Sequence, residues 1–384
     1  MMKSGTKQIF LIFLAYYCNT CFSNIYFLFG PFYEGMGASP HEVGLFLSVF
    51  YFVMLLCRPL GSVVMERFDI RRALIGSSLL CAAMSAGIAL SLASPLPLLF
   101  FRAMTGVCVS VFGVSAVAAQ SILLDERSRG VGFALFTTGS MLPLATVIPL
   151  SEWLLKGGYN ELYIWLPVLT ALICAGICFP VRNLSYDGQA KRSWGSYSEL
   201  FKTGGVVLLL FTAFTMSVAD AMTLSAASLA EVRAVSVSWF MISSAFSGIL
   251  IRTVAFRLVA MFQRSRLAAT SAALMGFALL GLSFSSTASM FVLFGLLFGL
   301  GIGVGFPTDL ALVGDILPEA YRPKATGLVL MVIDIGWMIS PLLYGWLSPP
   351  IGVSNTFRVV GLAVFTLSMA LYFKFWRPMA LGRR

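Results

Sequence analysis

Residues 288–317 read ASMFVLFGLLFGLGIGVGFPTDLALVGDIL, a run of thirty residues with only two charged side chains, Asp309 and Asp315. About 20 apolar residues in a helix are enough to cross the hydrocarbon core of a bilayer. Because lipid offers the backbone no hydrogen-bond partners, a segment of this composition is expected to be helical. The run therefore predicts a membrane-spanning helix, and the rest of the chain has the same character.

The whole chain has the composition of an integral membrane protein. Of its 384 residues, 59% are hydrophobic and 11% are charged, whereas a soluble domain is about 25% charged. The low-charge segments predict twelve spans with short connections and no soluble domain: residues 8–32, 42–66, 73–93, 96–124, 130–155, 162–181, 203–229, 235–260, 266–285, 288–317, 323–347 and 354–376.

The basic residues alternate along the connections between these spans. One set of connections, with both termini and the adjoining ends of two spans, holds 20 of the 26 Lys and Arg residues, and the other set holds Lys156 and Arg233. The bias of Lys and Arg toward cytoplasmic loops predicts an inner-membrane protein with both termini in the cytoplasm. The net charge of +10 is explained by this bias, so it does not indicate a nucleic-acid partner.

The chain divides into two similar halves. Residues 182–202 form the longest polar stretch and predict a cytoplasmic linker between a six-helix half at 1–181 and another at 203–384. Arg58 and Arg252 occupy matching contexts at an offset of 252 − 58 = 194. Two parallel halves of six spans are typical of one large class of transporters, in which the substrate site lies near the membrane midplane.

Three motifs carry a resemblance to a known family. Residues 62–72, SVVMERFDIRR, are similar to the signature between the second and third spans of the major facilitator superfamily, although Ser62 and Asp69 replace its glycines. Arg102 and Gly106 are similar to the Arg-x-x-x-Gly element of its proton-coupled members. Residues 299–346, which include the GLGIGVGFP run, Asp334 and Gly345, resemble the branch that exports drugs and metabolites, including metallophores.

The resemblance implies an all-α integral membrane fold of twelve helices in two pseudo-symmetric halves. It also implies a transporter that is not an enzyme and needs no cofactor. The sequence contains no metal, nucleotide or haem motif, so transport driven by ATP is not expected. The partners that we expect are a small-molecule substrate, protons and the lipid bilayer, with the monomer as the functional unit.

Charged residues inside the spans are the candidates for proton coupling. A carboxylate at a helix centre costs about 2.5–3.5 kcal/mol on insertion scales, so it must have a partner, line a cavity or hold a proton. The candidates are Asp334 near the midplane, Asp220 in the outer half, Asp309 nearer the cytoplasm, and Arg102. A static ion pair between Asp309 and Arg252 is the structural alternative for that aspartate.

Other polar residues are candidates for substrate binding and gating. The substrate-binding candidates are the paired arginines and the polar residues of the first span: Arg58, Arg252, Asn19, Asn24, Tyr16 and Tyr26. Helix packing and gate contacts are the alternatives for these positions. The gating candidates are charges at the cytoplasmic ends of the spans: Glu66, Arg67, Arg71, Arg72, Asp125 and Asp315.

These observations lead to one functional hypothesis and two alternatives. The hypothesis is a proton-coupled antiporter that exports a small amphiphilic or anionic compound, such as a drug or metallophore, by alternating access. The first alternative is proton-linked uptake of an organic anion or a sugar. The second is a membrane sensor or lipid-handling scaffold that does not transport.

Overall fold

The structure, a computed structural model, describes residues 4–67, 69–123, 138–183, 197–202, 205–254, 261–318 and 321–378. Within these ranges every regular element is a helix and no residue lies in a β-strand. The predicted all-α fold class is confirmed. The side chains of Glu66 and Arg67 and the whole of Asp125 lie outside the described part of the chain.

The N-terminal half contains eight described α-helices. They are α1 Ser4–Ile25, α2 Phe29–Gly35, α3 Pro40–Arg67, α4 Ile70–Leu90, α5 Pro95–Leu123, α6 Leu142–Ala145, α7 Val147–Lys156 and α8 Asn160–Cys178. A 3₁₀ turn, Tyr26–Leu28, joins α1 to α2.

The C-terminal half contains a further eight α-helices among its described residues. They are α9 Tyr197–Lys202, α10 Val206–Ala221, α11 Ala226–Val232, α12 Ser238–Thr253, α13 Arg264–Phe284, α14 Ala288–Ile316, α15 Arg322–Ile351 and α16 Val353–Leu371. A 3₁₀ turn, Met222–Ser225, joins α10 to α11, and a π-helical turn, Tyr372–Trp376, follows α16.

Ten helical segments in the described ranges are long and apolar enough to cross a membrane. The two predicted spans outside this set, 130–155 and 235–260, overlap the undescribed residues 124–137 and 255–260. The first membrane span of each half is interrupted by a 3₁₀ turn, at Tyr26 and at Met222. The offset between the two turns, 222 − 26 = 196, is close to the offset of the sequence repeat. The repeat seen in the sequence therefore has a structural counterpart.

The chain forms two compact units, Met1–Met36 with Leu45–Ala190, and Gly37–Gly44 with Lys191–Arg384. The boundary at 190 falls in the predicted linker, most of which lies outside the described residues, so the linker itself stays a prediction. The grouping of residues 37–44 with the C-terminal unit was not expected from the sequence.

Each unit has its own apolar core. In the N-terminal unit, Ile12 of α1, Leu74 of α4, Phe112 of α5 and Cys174 of α8 are buried in one cluster. In the C-terminal unit, Leu209 of α10, Ala268 of α13 and Leu312 of α14 are buried in a cluster that includes Trp376.

Trp376 connects the end of the chain to the core of the C-terminal unit. Its side chain is fully buried, and its indole Nε1 donates a hydrogen bond to Thr212 Oγ1 on α10 over 2.9 Å. A buried indole N–H normally has a partner of this kind. The contact fixes the π-helical turn after α16 against the helix that carries Asp220.

Candidate functional site

The three predicted coupling aspartates all lie in the C-terminal unit. Asp220 is the penultimate residue of α10, next to the 3₁₀ turn Met222–Ser225, and it is partly buried. Asp309 lies on α14 and is fully buried, and Asp334 lies on α15 with 3% of its surface exposed. The three carboxylates have different surroundings, and these differences are the basis for assigning their roles.

Asp220 has two partners of different kinds. The indole of Trp337 on α15 is close enough to serve as a hydrogen-bond donor to its carboxylate, and the positive charge of Arg252 on α12 acts on it. The helices α10 and α15 come into close contact here, because Gly336 lies directly against Ser217 and leaves no space for a Cβ. The glycine thus allows Trp337, the next residue, to reach Asp220.

Arg252 is held by the backbone of α14. Its Nε donates to the carbonyl oxygen of Gly303 over 3.3 Å, and its Nη2 donates to that of Ile302 over 3.1 Å. Pro307 lies four residues after Gly303 and has no N–H, so it cannot serve that carbonyl. Arg252 therefore replaces the hydrogen bond that Pro307 removes. Inside a membrane, a backbone carbonyl that loses its helical partner needs another donor of this kind.

Asp309 has no such partners. Both carboxylate oxygens are buried, and no described residue donates a hydrogen bond to either of them. The static pair between Asp309 and Arg252 that the sequence allowed is not formed among the described residues, because the guanidinium is directed at Ile302 and Gly303 instead. An ionised carboxylate in such a place would be costly, so the neutral acid is the expected form.

Asp334 lies one helical turn before Trp337 on α15, so the two side chains share a face of that helix. The buried carboxylate and the indole that binds Asp220 are thus neighbours on one surface. The structure therefore places Asp220, Arg252 and the face of α15 that carries Asp334 in the same part of the C-terminal unit.

Arg102 lies in the N-terminal unit and contacts aromatic rings. Its Cζ is 4.0 Å from the ring centroid of Tyr26, 4.2 Å from that of Phe50 and 5.0 Å from that of Phe46. Only 1% of Arg102 is exposed. One turn later, Gly106 lies against the carbonyl oxygen of Phe50, where a Cβ would be 2.5 Å away, so the Arg-x-x-x-Gly spacing packs α5 closely on α3.

The other predicted substrate-binding residues are only partly brought together. Tyr26 belongs to the rings around Arg102, whereas Asn24 is buried and donates from Nδ2 to the carbonyl of Thr20 over 2.8 Å. Asn19, Tyr16 and Arg58 are partly buried. The Asn24 contact is a bond within its own helix, which favours packing over substrate contact at that position.

The described gating residues make local contacts at helix ends. Asp69 caps α4, because its Oδ1 accepts from the backbone N–H of Arg72 over 2.8 Å, and its Oδ2 lies 3.4 Å from Arg72 Nε. Arg71 is partly buried beside it. At the end of α14, Asp315 Oδ1 lies 2.7 Å from Nη1 of Arg264, the first residue of α13.

A comparison with family models decides the identity of the chain. The model described as the Major Facilitator Superfamily matches residues 9–261 and 209–383, which together span nearly the whole sequence. The chain belongs to the major facilitator superfamily. No protein in the curated set that was compared matches it.

Solved structures of several transporters share the fold of this chain. A mutant of the nucleoside transporter NupG is 13% identical with a TM-score of 0.80, covering 96% of this chain and 98% of its own. A bacterial homologue of the human lysosomal transporter Spinster, inward-facing and unoccupied, is 12% identical with a TM-score of 0.76, covering 98% of each chain. A D-xylose–proton symporter is 14% identical with a TM-score of 0.75, covering 94% and 97%.

Sequence reasoning missed one member of the candidate site, Trp337, although this residue lies one turn from Asp334 and carries a polar N–H inside a span. The described residues contain no group of three or more His, Cys, Asp and Glu side chains suited to a metal ion.

Proposed function

We propose that this protein is a proton-coupled secondary transporter that exports a small amphiphilic or anionic compound by alternating access. Membership of a transporter superfamily and the buried aspartates support this proposal. The protein would act as a monomer in the inner membrane with both termini in the cytoplasm, and its branch would be the one that exports drugs and metallophores.

The observation that carries the proposal is that Asp220, at the end of α10, interacts with both Trp337 and Arg252. A carboxylate that faces a guanidinium is stabilised in its charged form, and one that loses this contact inside a membrane is stabilised in its neutral form. Asp220 has the charged partner that allows both states. We therefore assign it as the residue that binds and releases the coupling proton.

Protonation of Asp220 would affect α14 through Arg252, which interacts with both. When a proton binds to the carboxylate, the attraction between Asp220 and Arg252 is lost, while Arg252 keeps its charge at any working pH. Arg252 also holds the carbonyls of Ile302 and Gly303 next to Pro307. A change at the carboxylate would thereby alter the support of α14 at Pro307, and a proline inside a helix is a point where the helix can bend.

The other two aspartates take different roles in this proposal. Asp309 has no charged partner among the described residues, so it would remain neutral throughout the cycle. Asp334 is buried one turn from Trp337 and would be a second carboxylate whose charge affects the same site. Arg58 and Arg252 would contribute positive charge toward a substrate that carries an acidic group.

Proton movement in proteoliposomes tests this function. Purified protein is reconstituted with the pH-sensitive dye pyranine inside the vesicles, and a panel of carboxylates, metallophores and drugs is supplied as gradients. Export by antiport predicts that at least one solute gradient drives protons in the opposite direction. Proton movement in the same direction as the solute would indicate uptake by symport, and no solute exchange at all would contradict transport.

A further inference from the structure

The surroundings of Arg102 suggest a ligand site in the N-terminal unit. The guanidinium is 1% exposed, and its Nε and Nη1 are buried without a hydrogen-bond partner among the described residues. Because an arginine cannot shed its proton in a protein, this charge cannot be removed by deprotonation. Something other than loss of the proton must balance it.

The neighbours of Arg102 do not include a counter-ion. The rings of Tyr26, Phe46 and Phe50 lie within 5.0 Å of its Cζ, and the hydroxyls of Tyr51 and Tyr163 and the thiol of Cys81 are close enough to act on its charge. Over the described part of the chain, none of these contacts is with a carboxylate. The three coupling aspartates belong to the other unit.

The aromatic rings stabilise the charge but leave the donors on Nε and Nη1 without a partner among the described residues. A cation–π contact uses the face of a ring and is strongest when it is desolvated. The five N–H bonds of a guanidinium lie in its own plane in a fixed fork. The rings therefore satisfy the charge only in part, and a buried donor that stays unpaired destabilises the folded protein.

We propose that Arg102, with Tyr26 and Phe50, forms a binding site for a carboxylate group attached to a flat or apolar body. The carboxylate would accept hydrogen bonds from the guanidinium, and the rings would contact the rest of the ligand. Charge-assisted pairs of this type are the strong hydrogen bonds in proteins. In this assignment Arg102 binds the substrate and does not pair with an aspartate.

The assignment rests on the proposed transport function in one respect. Arg102 is enclosed in the structure, so a ligand reaches it only when the helices that carry Tyr26, Phe50 and Arg102 separate during a transport cycle. It deepens the proposed function because it names an acidic compound with an apolar or aromatic part as the substrate class. Binding and transport are nevertheless measured separately, so either claim can fail without the other.

Thermal unfolding of the purified full-length protein with a simple probe tests the site. The probe is benzoate, and benzamide is the neutral compound of the same shape, at equal ionic strength. A ligand that binds only the folded state raises Tm in proportion to its occupancy. We expect benzoate at saturating concentration to raise Tm by about 2 °C or more, and benzamide to raise it by much less.

Two variants make the test specific to Arg102. In Arg102→Met the benzoate shift is lost, whereas in Arg358→Met it is kept, although Arg358 also stacks on a ring, that of Phe284, at 4.2 Å. If Arg102→Met does not fold, the comparison of benzoate with benzamide on the unmodified protein still decides. Equal shifts for both compounds, or an unchanged benzoate shift in a folded Arg102→Met, would overturn the proposal.

Transport measurements separate this proposal from the general function. If benzoate raises Tm through Arg102 but the protein moves no solute, the binding site is supported and the transport function is contradicted. If the protein transports solutes with protons but benzoate does not raise Tm through Arg102, the transport function is supported and the binding site is contradicted.

Discussion

Nε of Arg252 donates a hydrogen bond over 3.3 Å to the carbonyl oxygen of Gly303, the acceptor that an ordinary residue at position 307 would serve through its backbone N–H. The side chain of one helix thus completes the backbone hydrogen bonding of another helix at a proline. The same guanidinium acts on Asp220, so one residue links a titratable group to the shape of α14.

The first prediction concerns this link. Arg252→Met leaves the carbonyl of Gly303 without its donor and should destabilise the protein by about 1–3 kcal/mol. Pro307→Ala restores a backbone N–H at position 307, so the double variant Arg252→Met with Pro307→Ala should recover a large part of the loss. Tm measurements on the two single variants and the double variant give the coupling. Strictly additive effects would show that Arg252 does not replace the missing bond.

The second prediction concerns Asp334. Asp334→Asn keeps the size of the side chain and removes its charge, so we expect proton-driven flux to fall at least about tenfold, a barrier change of about 1.4 kcal/mol. Counterflow of the same solute, which needs no net proton movement, should remain. The measurement is flux with and without a pH gradient, and undiminished proton-driven flux would exclude Asp334 from coupling.

The third prediction concerns Asp309. Because its oxygens are buried without a donor among the described residues, the neutral acid is the expected form, and Asp309→Asn should leave both Tm and counterflow close to those of the unmodified protein. The matched control is Asp220→Asn, where a charged partner is present. A loss of several degrees in Tm for Asp309→Asn would indicate a charged Asp309 with a counter-ion.

The fourth prediction concerns the ion pair between Arg264 and Asp315. The two side chains are 53% and 36% exposed, and an exposed pair contributes about 0–1 kcal/mol. Asp315→Asn should therefore change transport rates by no more than about fivefold while Tm stays nearly constant. The charge-swapped double variant Arg264→Asp with Asp315→Arg should return the rate toward its original value. A complete loss of transport in Asp315→Asn alone would show that the contact is more than a weak latch.

The fifth prediction concerns the end of the chain. Trp376→Phe removes the donor to Thr212 Oγ1 and leaves a buried hydroxyl without that partner, so the protein should lose about 1–3 kcal/mol of stability. Thr212→Val removes the acceptor, and Trp376→Phe on that background should cost clearly less. Equal losses on both backgrounds would mean that the hydrogen bond contributes nothing beyond packing.

The spans were readable from the sequence because lipid imposes one rule on every segment. The predicted span 288–317 and the helix Ala288–Ile316 differ by one residue, since both ends are set by the change from apolar to polar residues. The 3₁₀ turns at Tyr26 and Met222 could not be read in this way, because neither turn lies at an end of its predicted span.

The partners inside the membrane were much less predictable. Depth along a span suggested that Asp309 faces Arg252, but depth does not give the rotation of a helix about its axis. That rotation depends on packing between helices, for example on the contact of Gly336 with Ser217. It directs Trp337 to Asp220 and Arg252 to the carbonyls of α14, and a single sequence does not contain that information.

The most direct test of the coupling mechanism is proton movement in pyranine-loaded proteoliposomes containing Asp220→Asn, driven by the gradient of a solute that the unmodified protein exchanges. The mechanism predicts that proton movement disappears while counterflow of that solute continues at a comparable rate, because the amide cannot carry the proton. Solute-driven proton movement at the original rate in Asp220→Asn would contradict it.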